Sequence, residues 1–337
     1  MDTETADPAG LLDGLDRRLV HALQVDGRAE PGRIAEVLGV SARTVSRRLG
    51  RLFGTGAVRV VRMPDARAAA LGALLLRLRV PPGRADPIAL ALAALDGVPF
   101  VDVMLGGQEV SAVVLADAPA RDRLLYGRLP ATGAVLESAA HAVLHLFADA
   151  SAWRCGALTP AEEAALAPQP PSDPPGHPTG HPAGRPPLDA LDHRLLDALG
   201  RDARRSHAAL AGALAVPEST VRRRLRRLGA AGLLRTHVSV DPRLLGVGVD
   251  ANLWLDVEPG RLAATGAALA GHPQVHGVLA VSGPGNLTAA VFCPDHAALY
   301  RFQTEVLGPL GVRRAETAIV ARAVKRAGIG LRRFDGR

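Results

Sequence analysis

The chain has 337 residues, 48% of them hydrophobic, so it can bury more than one sizeable core and at least two domains are expected. Its net charge of +7 comes almost wholly from arginine, Lys325 being the only lysine, and the sequence pI near 10.6 suits a polyanionic partner. Cys155 and Cys293 have neither zinc-site spacing nor the number for a disulfide framework, the acidic residues 1–10 are no signal peptide, and no apolar run approaches membrane-spanning length. A reducing, cytoplasmic setting is therefore expected, with no metal, no cofactor and no membrane.

Residues 1–14 read as a disordered lead-in. Beyond them Leu15, Leu19, Ala22 and Leu23 recur at helical spacing, as do Ile34, Ala35 and Leu38, and then Val45, Leu49 and Leu52. Three such stripes close one small core. Gly39 and Val40 break the chain before the third segment, and Ser41 is suited to cap it, which is a helix-turn-helix signature. The exposed face of the third helix then carries Arg43, Thr44, Ser46, Arg47 and Arg51 beside Ser41. The amino-terminal half of such a helix fits a major groove, where arginine pairs with guanine and short polar side chains reach base edges or phosphates. Val58 to Arg62 alternates as a short strand, giving a winged helix-turn-helix over 15–62.

From residue 72 to 150 the pattern changes. Strands are expected at Leu74 to Val80, Val98 to Leu105, Ser111 to Ala116 and Ala134 to Phe147, with helices at Pro87 to Leu95 and Ala118 to Leu129. The order βαββαβ implies an antiparallel sheet with two helices on one face, the ferredoxin-like arrangement. A short helix, Pro160 to Leu166, follows. Nine prolines then fall between Pro168 and Pro187, a polyproline-type linker in which His177 and His181 read as exposed spacers rather than metal ligands.

At Leu191 the chain starts again. Ungapped comparison of Leu15–Val58 with Leu191–Leu234 matches roughly 19 of 44 positions, a self-similarity that governs the whole fold. Leu15-Asp16 recurs as Leu191-Asp192, Asp26 and Arg28 as Asp202 and Arg204, and Thr44-Val45, Arg47-Arg48-Leu49 and Arg51-Leu52 as Thr220-Val221, Arg223-Arg224-Leu225 and Arg227-Leu228. The second exposed face carries Glu218, Ser219, Thr220, Arg222, Arg223, Arg226 and Arg227, with Pro217 in place of the capping serine. This winged helix-turn-helix spans 188–240, its wing falling within Leu233 to Val240, and a second βαββαβ unit spans 247–327. The fold class is α+β, a tandem duplication.

On these motifs the chain resembles the Lrp/AsnC, or feast/famine, family of transcriptional regulators, as two family units in tandem. The resemblance implies binding to double-stranded promoter DNA and a sensor domain that pairs through its sheet into homo-oligomers and takes a small effector, often an amino acid. In that family the turn between the second and third sensor strands reads Gly-x-x-Asp; the corresponding positions here are Gly106 to Glu109 and Gly283 to Asn286, so Gly106, Glu109, Gly283 and Asn286 are the candidate effector residues. The departure from Asp changes the charge and reach offered to an ammonium group.

An enzyme is the competing class, because fused pairs of similar units also occur in sirohaem decarboxylases, which hold a tetrapyrrole with histidine, arginine and aromatic residues. Val275 to Phe292 offers only His276, and Val98 to Val114 offers no His, Arg or Tyr. With no catalytic motif elsewhere, the expectation is a regulator and not an enzyme.

Overall fold

The computed structural model describes residues 12–63, 72–167 and 188–330. The lead-in lies outside them as far as residue 11, as do the linker 168–187 and both of its histidines. The chain forms two compact units, one of Met1–Ala68 with Arg154–Leu245 and one of Ala69–Trp153 with Gly246–Arg337. The two helix-turn-helix copies thus share one unit and the two sensor halves the other.

In the first unit the first copy consists of α1 (Gly14–Val25), α2 (Pro31–Leu38), α3 (Ala42–Gly54) and β1 (Val58–Arg62). Residues 12–14 of the expected lead-in belong to this structure: Leu12 is buried, and Asp13 caps α1 by accepting from the Asp16 amide at 2.8 Å. Pro31 opens α2 where no amide proton is needed, and Gly39 ends it in the left-handed region at φ 66°. Ser41 then caps α3 through the Thr44 amide at 3.1 Å. Leu19, Leu23, Ile34, Val45, Leu49 and Leu52 are buried as one core, as their spacing predicts.

The sensor half that follows in sequence comprises β2 (Leu74–Arg79), α4 (Ala85–Ala93), β3 (Phe100–Met104), β4 (Glu109–Val114), α5 (Ala118–Asp122), a π-helical turn (Arg123–Arg128), α6 (Leu129–Ala131) and β5 (Glu137–Ala148). Sequence spacing places the third strand two residues late: Glu109 is already on β4, opposite Arg79. The first unit resumes with α7 (Pro160–Leu166), opened by a capping box between Thr159 and Glu162, and the second copy, α8 (Ala190–Arg201), α9 (His207–Leu214), α10 (Glu218–Ala230) and β6 (Thr236–Val240). Here Ala215 holds the left-handed position at φ 54°. Pro217 stands just before α10 rather than in its first turn, and its carbonyl accepts from the amides of Thr220 and Val221 at 3.0 and 3.2 Å.

The wings do not lie beside their own helices only. β1 and β6 pair with each other, antiparallel, with Val60 opposite Val238. The loops after α1 and α8 exchange arginines in the same manner: Arg28 donates to the Ala203 carbonyl, and Arg204 donates to the carbonyls of Gly27 and Ala29 at 2.7 and 3.0 Å. That reciprocity accounts for the repeated Asp-x-Arg.

The second sensor half contributes β7 (Val249–Val257), α11 (Leu262–Ala270), β8 (Val275–Val281), β9 (Leu287–Cys293), α12 (His296–Arg301), a second π-helical turn (Phe302–Leu307), β10 (Val312–Arg326) and β11 (Ile329–Gly330). Each half has the βαββαβ order. The long last strands join the halves: β5 pairs with β2 through its first part and with β8 through its second, while β10 pairs with β7 and then with β3. The strands run β10-β3-β4-β2-β5-β8-β9-β7 and return to β10, so the sheet closes on itself. Each of the eight strands pairs with two others of the set, β5 and β10 by dividing their length between two partners. Leu76 and Leu78 turn to the helices of the first half, Leu253 and Leu255 to those of the second, and Trp254 packs with Leu75, Val143 and Val281 between the halves.

Candidate nucleic-acid interface and inter-sheet cavity

The buried face of α3 is Val45, Leu49 and Leu52, and that of α10 is Val221, Leu225 and Leu228. Ser41, Arg43, Ser46, Arg47 and Arg51 are exposed and Thr44 half-buried on the first; Glu218, Ser219, Arg222, Arg223, Arg226 and Arg227 are exposed and Thr220 half-buried on the second. Glu218 accepts from Arg222, one turn on, at 2.9 Å.

Two of these arginines have partners that spacing alone does not reveal. Asp16, withdrawn from solvent at the start of α1, accepts from Arg48 at 3.0 Å and from Arg51; Asp192 on α8 accepts from Arg224 at 2.9 Å and from Arg227. The capping residues join in, Asp13 with Arg48 and Asp189 with Arg224 at 2.6 Å. Arg51 and Arg227 therefore brace the recognition helices against the first helix of each copy, while Arg43, Arg47, Arg223 and Arg226 stand further out. The repeat of Leu-Asp together with Arg-x-x-Arg was the available signal. Hydrogen bonding to Arg224 holds the Asp189 carboxyl down at about 2. For Asp13 and Asp192 burial pushes the carboxyl up, but amide and guanidinium donors outweigh it and both end below the usual range.

In the sensor unit a cavity of about 430 Å³ opens between β2 and β5 of the first half and β7 and β10 of the second. Arg77 lies opposite Ser111 and Trp254 opposite Thr288, the same step from the turn in each half, so the duplication places arginine in one and tryptophan in the other. They meet here, with the Arg77 guanidinium 4.8 Å from the Trp254 ring centroid. Arg77 also donates to Glu109 at 3.0 and 3.1 Å and to Glu316 at 2.5 Å. Burial pulls its pKa down, but the bonds to Glu316 and Glu109 outweigh burial and raise it. Arg79, Arg314 and His141 complete the basic lining, with Glu137 and Asp256 as further acids. His141 Nδ1 donates to the Ser282 carbonyl at 2.7 Å, which leaves Nε2 as an acceptor.

Of the candidate effector residues only Glu109 lines this cavity. Gly106, at φ 99°, forms the turn after β3. Gly283, at φ 108°, lies where an added Cβ would stand 2.5 Å from His141 Nδ1. Asn286 binds the backbone of Val257, accepting from its amide at 3.0 Å and donating to its carbonyl at 2.7 Å.

The cavity corrects the case against an enzyme. His141, Trp254, Arg77 and Arg314 come from strands outside residues 98–114 and 275–292, brought together by closure of the sheet. The crystal structures of the siroheme decarboxylase NirDL, alone and with an iron-uroporphyrin III analogue, have the same fold over 93% of each chain, with a TM-score of 0.59 and 14% and 13% identity. A fold shared along nearly the whole chain with an enzyme overturns the expectation of a non-enzyme.

Sequence comparison points to regulators. The AsnC-type helix-turn-helix domain model matches residues 12–52 and 188–228, and the Lrp/AsnC ligand binding domain model matches 250–329. An uncharacterized HTH-type transcriptional regulator of Pyrococcus horikoshii is 32% identical over 140 residues, 41% of this chain and 89% of that one. The HTH-type transcriptional regulator AldR of Mycolicibacterium smegmatis is 32% identical over 124 residues, 36% of this chain and 72% of that one. Among the described residues no helix is long and apolar enough to cross a membrane. With both helix-turn-helix copies and the second sensor half matched, this chain belongs to the Lrp/AsnC family of transcriptional regulators.

Proposed function

We propose that the protein is a sequence-specific regulator acting in the cytoplasm on double-stranded DNA, with α3 and α10 as two unequal recognition helices. The observation that carries this reading is the matched arrangement in both copies: an apolar face in the core, two arginines braced by a buried aspartate, and further arginines exposed beyond them. Ser41, Arg43, Thr44, Ser46 and Arg47 would contact one half-site, and Glu218, Ser219, Thr220, Arg222, Arg223 and Arg226 the other. Since operator symmetry mirrors protein symmetry, the unequal faces select an asymmetric site. The inter-sheet cavity, rather than the two turns alone, is the place for a small effector such as an amino acid, and the sensor unit is the place for association of chains.

The test is binding to the protein's own upstream region and to scrambled duplex across a salt series, with Arg47→Ala and Arg223→Ala alongside. Preference for the upstream region that either variant weakens supports the reading; equal affinity for both duplexes, falling away at moderate salt, overturns it.

A second reading is favoured by the fold shared with the siroheme decarboxylase over 93% of each chain. Arg77, Arg79, Arg314 and the Nε2 of His141 are the groups that would meet a carboxylated tetrapyrrole, against the carboxylates of Glu109, Glu137, Asp256 and Glu316 in the same lining, and the reaction class would be decarboxylation. Titration with an iron tetrapyrrole decides it: a shifted absorption band lost in His141→Ala supports this reading, and an unchanged spectrum removes it.

A further inference from the structure

Elsewhere in the sensor unit, four ionisable side chains on β3 of the first half and on β7, β8 and β10 of the second pack together. Arg326 on β10 stands 3.0 Å from Asp102 on β3 and 2.5 Å from Asp250 on β7, and His276 on β8 stands 3.4 Å from Asp250. Side-chain exposure is 7% for Asp102, 13% for Arg326 and 14% for Asp250, so water screens none of them well. Phe292 stacks on His276 at 3.8 Å and shuts one face of the ring.

The remaining neighbours do not balance this cluster. Asn252 of β7 and Ser111 of β4, which face Asp102, are neutral. Lys325 directs its ammonium elsewhere, to the Leu95 carbonyl at 2.8 Å. Burial first, and then Asp295 and Asp250, push the Cys293 thiol up to about 11, so it stays protonated.

Two carboxylates, one guanidinium and a neutral imidazole carry one uncompensated negative charge. Burial works against the charged imidazole, so His276 does not supply the balance. A net charge held away from water is costly, and the cluster lowers that cost by taking up one proton. Asp250 has both Arg326 and His276, and its carboxyl lies below the usual range because these outweigh its burial. Asp102 has Arg326 alone among the charged groups, and burial, with Asp250 adding to it, raises its carboxyl to about 7. The proton therefore belongs on Asp102.

We propose that Asp102, Asp250 and Arg326 form a one-proton junction between the two sensor halves, neutral and tightly closed while Asp102 is protonated and loosened when that proton leaves. The sign follows from linkage. Between about pH 4 and about pH 7 the folded chain holds a proton that the unfolded chain has lost, so stability falls as pH rises through that interval and is level above it.

The experiment is thermal unfolding of the full chain from about pH 5 to about pH 9, for the wild type and for Asp102→Asn, Asp250→Asn and His276→Gln. Relative to Asp102→Asn, the wild-type unfolding constant should rise by up to about tenfold per pH unit below about pH 7. Asp250→Asn leaves one carboxylate per guanidinium and should abolish the same step, whereas His276→Gln should keep it. Infrared spectra of the native wild type give a readout that needs no stable variant: a protonated-carboxyl band present near neutral pH that vanishes on alkalinisation. Parallel stability curves for the wild type and Asp102→Asn, or absence of that band at about pH 6, would overturn the proposal.

Discussion

Arg77 and Trp254 occupy the same register position in the two sensor halves, and in the folded chain the guanidinium of one lies 4.8 Å from the ring centroid of the other. Trp254 is only 8% exposed and holds Leu75, Val143 and Val281 between the halves. Trp254→Ala is expected to cost about 3–5 kcal/mol, the range for deleting a large buried aromatic. Urea unfolding followed by circular dichroism measures it, and a loss below about 1 kcal/mol would show that the halves do not depend on this ring.

The acid-arginine braces should matter for stability more than for reading DNA. Asp192→Asn removes the buried carboxylate that Arg224 and Arg227 share, and a loss of about 1–3 kcal/mol is expected, discounted because both arginines keep partial contact with water. Arg223→Ala, by contrast, should leave the melting temperature unchanged and reduce the slope of log affinity against log salt by about one. Fluorescence anisotropy over a salt series separates the two effects.

The same carboxylates set the acid limit. Asp189 lies at about 2, against an unfolded value of 3.8, and Asp13 and Asp192 are lowered in the same direction. Their contribution is complete above the unfolded value and disappears as pH falls through the folded one. Loss of helix on acidification should therefore begin only below about pH 4, and Arg224→Ala should move its onset upward. An onset that does not move would show that Asp189 and Asp192 are not governed by Arg224.

Gly283 is required by its surroundings. Its φ of 108° is closed to side chains, and a Cβ would stand 2.5 Å from His141. Gly283→Ala should lower stability by about 1–3 kcal/mol and disturb His141, seen as a changed imidazole resonance. Gly106→Ala meets no neighbour within 4 Å and should cost only the backbone strain.

The helices and strands were legible because periodicity and caps act within a few residues: Ser41 and the Val45-Leu49-Leu52 stripe declare α3 without help from the rest of the chain. The duplication was legible for the same reason. Partnerships made across sequence were not. Nothing local in Val58–Arg62 announces that it pairs with β6, and nothing in Arg77 announces Trp254 and Glu316, since each contact joins residues far apart in sequence. His141, Trp254, Arg77 and Arg314 of the cavity accordingly lie on strands other than those that flank the sensor turns. Asp16 was visible as a repeated residue, yet its reason lies 35 residues on, in Arg51.

β1 pairs with β6 although the two come from different copies of the repeat. Both strands belong to one polypeptide, so their meeting is a first-order event whose equilibrium is indifferent to dilution, set by an effective concentration that the tether supplies. A self-associating chain must satisfy every contact with two copies of one sequence. Here the two sides need not match, and the copies do differ, with left-handed Ala215 standing for Gly39 and Pro217 for Ser41 at the helix ends. One covalent chain lets its two halves differ without ever losing each other.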